Sequence, residues 1–165
     1  MEILKQALSW IHIISATLSL IFGTIVIISK KGNTKHLKIG ICYFYAMLIN
    51  NITALLIINS RGEWFFPHYL AIACLIVLIP GILSIKFKPK FWLKIHIVSM
   101  VLSYYLLIGG AINETFLHIP KLQKYIYTND PIVGITHFIC QLFFIIVLIY
   151  FLIKYRNFLK KKNYE

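Results

Sequence analysis

The chain has 165 residues, 59% of them hydrophobic and only 13% charged, with a mean hydropathy of +0.80. So little polar surface cannot cover a water-soluble core, which argues against a soluble enzyme or binding domain. The net charge of +12 does not point to nucleic acid either, because the basic residues sit in short gaps between apolar runs and the aromatics lie inside those runs.

About 20 apolar residues span a hydrocarbon core of about 30 Å. Five stretches of that kind are predicted, and the chain reads as one all-α transmembrane domain over 1–165. Helix 1 is predicted over about 7–29. On it His12, Ser15, Ser19 and Gly23 fall at helical spacing on one face. Small and polar residues on one face suit close approach of a second helix. A lysine-rich turn, Lys30 to Lys35, follows.

Helix 2 is predicted over about 36–59, with His36, Gly40, Tyr43, Met47 and Asn50 forming its face. The loop Ser60 to Glu63 leads to Trp64-Phe65-Phe66, an aromatic anchor of the interfacial kind. Helix 3 is predicted over about 67–85, with Pro67 suited to a helix start and Pro80-Gly81 expected to bend it. Helix 4 is predicted over about 91–113, with His96, Met100 and Ser103 or Tyr104 on its face and Gly109-Gly110 loosening its far end.

Glu114 to Asp130 is the one long connection. It reads either as a short interfacial helix, from the spacing of Phe116, Ile119, Leu122, Tyr125 and Ile126, or as a surface loop. Helix 5 is predicted over about 131–152, with His137 and Gln141 on one face. A basic tail, 153–165, closes the chain. Cys42, Cys74 and Cys140 all fall in apolar runs and read as small buried residues. The triplets Asn51-Ile52-Thr53 and Asn113-Glu114-Thr115 match a glycosylation pattern by chance.

Of the 17 basic residues, 13 flank the helix 1–2 turn, the helix 3–4 turn and the end of helix 5. The positive-inside rule then puts the N-terminus outside and the C-terminus in the cytoplasm. Alternation over five helices gives the same answer.

Each predicted helix carries one histidine near its own N-terminal end. His12, His68 and His137 lie toward the outside and His36 and His96 toward the cytoplasm, with His118 in the outer loop. His12 and His137 are expected roughly 7 to 9 Å inside their helix starts. Helices 1–2 and 3–4 also read as two copies of one hairpin, each with an outer histidine, a lysine-rich turn and a second histidine.

Ionisable residues within membrane helices are costly and are functional candidates by default. The bland reading is that they make structural hydrogen bonds or touch solvent and headgroups. The sharper one is haem. Imidazoles from facing helices are common axial ligands of b-type haem. His12 with His137 would hold one haem near the outside, and His36 with His96 one near the cytoplasm. A copper or zinc site from His12, His68 and His137 is a further use of the outer group. Two function classes follow: a haem-binding redox protein, or a non-catalytic bundle serving as small transporter, partner subunit or scaffold. The lipid bilayer is the expected partner, with a protein partner or a second copy left open.

The segment from Lys31-Gly32 through His36, Gly40, Tyr43 and Met47, with His96 and Met100 on a later helix and His12 and Gly23 on the first, resembles a bacterial family of membrane proteins, the domain-of-unknown-function 2306 family. Leu37 and Lys38 stand where members often carry arginine. The resemblance covers most of residues 8–113. It implies a multi-pass protein of a bacterial inner membrane and no established activity.

Overall fold

The computed structural model describes residues 2–57 and 66–157, all of them helix or short connection. The helices are α1 (Glu2–Ile28), α2 (Thr34–Leu56), α3 (Phe66–Phe87), α4 (Trp92–His118), α5 (Pro120–Tyr127) and α6 (Pro131–Lys154). Five of them, all but α5, are long and apolar enough to cross a membrane. The predicted loop Ser60 to Glu63, Trp64 and Phe65 of the aromatic anchor, and the tail from residue 158 onward lie outside the described residues.

Several boundaries move. α1 begins at Glu2, because the apolar run tolerates Lys5 and Gln6 in its first turns without a breaker. α2 begins two residues early, where Asn33 takes an extended conformation and its side chain accepts from the His36 amide at 2.7 Å. α4 does not stop at Asn113. It runs to His118 and ends where Ile119, preceding Pro120, is forced to an extended conformation. Pro120 then opens α5, so of the two readings of this connection the short helix is the one adopted. His118 therefore closes a helix and is not a loop residue.

The connection between α3 and α4 is tight. Lys88 and Phe91 both take positive φ, 47° and 65°, on either side of Pro89. Asn129, at φ 52°, makes the corresponding turn before α6, where the Asp130 side chain accepts from the Ile132 amide at 2.9 Å.

The chain divides into two compact units, Met1–Leu78 and Ile79–Glu165. In the first, α1 and α2 form an antiparallel hairpin, and α3 reaches α2 through Asn51, whose Nδ2 lies 3.5 Å from Cys74 Sγ. In the second, α4 packs on α6 and on α5, and the last turns of α3 meet α4 at Gly81.

Small and polar side chains are buried beside apolar ones, while many large apolar side chains face outward. The buried positions of α1 are Ser15, Ser19 and Gly23, the face expected from their spacing. Asn50, Asn51, Thr53, Ser84, Ser99 and Ser103 are also buried, while Ile139, Phe143, Ile146 and Ile149 of α6 are exposed. Helices in lipid gain nothing by hiding leucine and isoleucine, and associate instead through small and hydrogen-bonding side chains. Of the face predicted for α2, Tyr43, Met47 and Asn50 are buried. On α6, Gln141 is exposed and Phe144 and Phe151 are the buried positions.

Pro80 leaves the Ile76 carbonyl without its usual amide donor, yet α3 continues as helix to Phe87. Gly81 is there for space. A Cβ at this position would lie 2.7 Å from Ser99 Cβ and 2.3 Å from Met100 Cε.

Candidate functional site

The candidate site is built from the histidines, ligating side chains that the sequence places within the long helices. His12 sits on α1, half-buried, facing α2. Its Nδ1 lies 3.1 Å from the Asn50 carbonyl oxygen and 3.2 Å from Thr53 Oγ1. A carbonyl can only accept, so Nδ1 carries a hydrogen and, in the neutral ring, Nε2 carries the lone pair. The Thr53 hydroxyl donates within α2, to Ile49 O at 2.8 Å or Asn50 O at 2.9 Å.

His96 repeats the arrangement in the second unit. Its Nδ1 donates to the Gly81 carbonyl of α3 at 3.0 Å, an oxygen that also takes the Ser84 hydroxyl at 2.9 Å. The close approach at Gly81 is what brings that carbonyl to α4. The tautomer is again Nδ1–H in the neutral ring.

His137 is held the other way round. Its Nε2 lies 2.9 Å from Asn113 Oδ1, so Nε2–H donates from α6 to α4. Coordination through Nε2 would require that bond to break. His36 is half-buried near the start of α2, with Nδ1 3.4 Å from Ser29 Oγ at the end of α1. His68 is fully buried in the first turn of α3, 0% exposed. His118 is exposed, and its Nδ1 lies 3.1 Å from both the carbonyl and a carboxylate oxygen of Glu114.

Each predicted haem pair, His12 with His137 and His36 with His96, takes one histidine from each unit. The outer metal group takes His12 and His68 from the first unit and His137 from the second. Among the described residues, no three His, Cys, Asp or Glu side chains gather as a metal site would need. Measured along the helices themselves, His12 lies ten residues into α1, about 15 Å at 1.5 Å per residue, and not the shorter distance expected. His137 is six residues into α6, about 9 Å on the same rise.

The partners of these histidines were not singled out by sequence. Asn50 belonged to the α2 face, but nothing in the pattern paired its carbonyl with His12. Asn113 is 24 residues from His137 and carried only a glycosylation triplet. That triplet is helical and Asn113 Oδ1 is engaged, while Asn51 is buried with its Nδ2 donating to Met47 O at 2.7 Å. Cys74 is buried as expected, but Cys42 is exposed on α2.

These features define an all-helical protein with five helices able to span a membrane and a polar, histidine-bearing interior. No protein-family model, curated protein or solved structure matches the chain. The family resemblance therefore stands on the short motifs alone.

Proposed function

We propose that this chain is a non-catalytic multi-pass membrane bundle, a scaffold or partner subunit, whose intramembrane histidines fasten helices to one another. One observation carries the reading. His12, His96 and His137 each donate a ring N–H to an acceptor on a neighbouring helix, at 3.1, 3.0 and 2.9 Å. Such bonds satisfy the imidazoles at depth and supply a geometric constraint that apolar packing in lipid lacks.

A second reading, b-type haem binding, is favoured by the tautomer of two of these rings. Ligating histidines usually donate Nδ1–H to a carbonyl, which orients the ring and leaves the lone pair on Nε2. His12 and His96 have that arrangement. His137 does not.

The proposed setting is a bacterial inner membrane, with the N-terminus outside and lipid as the first partner, in line with the lysine distribution and the family resemblance. Single cysteines at Lys88 and Thr128 test this threading. Thr128→Cys should react with an impermeant maleimide on intact cells, and Lys88→Cys only after permeabilisation. The reverse order would invert the topology.

A dithionite-reduced minus oxidised absorption spectrum of protein purified from haem-supplied cells separates the two functions. The fastener reading expects a flat spectrum, together with lower thermal stability in His12→Ala, His96→Ala and His137→Ala. A sharp α-band lost in His96→Ala would overturn it in favour of a cytochrome.

A further inference from the structure

The face shared by α1 and α2 has more acceptors than donors. Asn50 is 8% exposed, and its main-chain oxygen already takes the His12 ring at 3.1 Å and lies 2.9 Å from the Thr53 hydroxyl. Its side-chain oxygen, Oδ1, is also buried, and among the described residues no protein donor lies within hydrogen-bond reach of it. An orphaned carboxamide oxygen at this depth is costly and calls for a partner.

Four donors carried by the facing positions of α1 and α2 are already engaged. A hydroxyl has one hydrogen to give. Ser15 spends its own on the His12 carbonyl at 3.0 Å, and Ser19 on the Ser15 carbonyl at 2.7 Å. Thr53 spends its hydrogen on Ile49 or Asn50, and the Nδ1 hydrogen of His12 is committed as well. What these groups have left is lone pairs. The missing component is therefore a small donor from outside the chain. A metal cation is the weaker choice, because the only carboxylate on the two helices is exposed Glu2.

We propose that one water molecule is bound within this face, donating to Asn50 Oδ1, with the lone pairs of His12, Ser15 and Thr53 available to its second hydrogen. Buried waters of this kind typically make about three hydrogen bonds to otherwise unsatisfied polar groups. The assignment rests on Asn50 and holds whether the histidines fasten helices or bind haem.

Infrared difference spectroscopy on the detergent-purified full chain tests it. Asparagine labelled with carbon-13 at the side-chain carbonyl is incorporated, and the spectrum of Asn50→Leu is subtracted from that of the parent. Asn50→Ser serves for the subtraction if the leucine variant does not fold. The expected result is an Asn50 carbonyl band at the low frequency of a hydrogen-bonded amide. It should be accompanied by an O–H stretch that shifts in oxygen-18 water and vanishes in the variant. Neither signal should change when sodium is replaced by choline. A carbonyl band at the unbonded, higher frequency would overturn the proposal. So would a bonded band without an oxygen-18-sensitive partner, or one that depends on sodium.

Discussion

Replacing Gly81 with alanine is the sharpest single test of how α3 and α4 fit. The new Cβ would stand 2.7 Å from Ser99 Cβ and 2.3 Å from Met100 Cε. Met100 can swing its terminal methyl aside, but Ser99 Cβ is fixed to the α4 backbone. Carbon pairs settle at about 3.5–4.0 Å, so the helices must part by about 1 Å. That opens the His96 Nδ1 to Gly81 O bond from 3.0 Å to about 4 Å, beyond hydrogen-bond range. Overpacking costs about 1–3 kcal/mol. A lost hydrogen bond between membrane helices adds about 0.6 kcal/mol. Alanine returns about 1 kcal/mol of helix propensity. The net expectation is a loss of roughly 0.5–2.5 kcal/mol on those figures.

Gly109 of α4 is the matched control, since a Cβ there meets nothing within 4 Å. Gly109→Ala should therefore stabilise, by up to about 1 kcal/mol. The two variants are compared by the detergent composition at which each unfolds in mixed micelles containing sodium dodecyl sulfate. Adding Ser99→Gly to Gly81→Ala removes the fixed atom and should recover part of the loss. Should Gly81→Ala prove as stable as Gly109→Ala, or Ser99→Gly fail to help, the close approach described for α3 and α4 is wrong.

Further outcomes follow from the caps and the surface. Asn33→Ala should cost about 1 kcal/mol through the lost cap on α2, and Asn33→Asp should restore it. Asp130→Ala should cost a similar amount at α6, read as faster amide exchange over its first turn. The Glu114 to His118 pair is exposed, so Glu114→Gln should shift stability by less than about 1 kcal/mol in the same micelle titration.

Hydropathy and spacing alone were enough to count the five helices long and apolar enough to span a membrane, because the length of an apolar run is legible regardless of what the run packs against. The same holds for the buried face of α1. Ser15, Ser19 and Gly23 repeat at helical spacing, and small residues are what lipid-embedded helices bring together. Local signals were weaker at the ends. Nothing apolar or polar stops α4 at Glu114; the stop comes from Pro120 acting on Ile119, a steric effect visible only as one residue in the sequence.

Contacts across helices belonged to tertiary structure alone. Six histidines announced that something polar lies within the bundle, but a histidine's partner is chosen by which backbone or side chain passes within 3 Å of its ring. For His96 that is a carbonyl exposed to α4 because Gly81 lacks a side chain, and for His137 it is a carboxamide 24 residues back along the chain. The tautomer of each ring, and with it the nitrogen left for chemistry, follows from those partners. Asn50 shows the same division. Its place on a buried face was legible from periodicity, while the lack of a partner for its side-chain oxygen among the described residues emerged only from the tertiary structure.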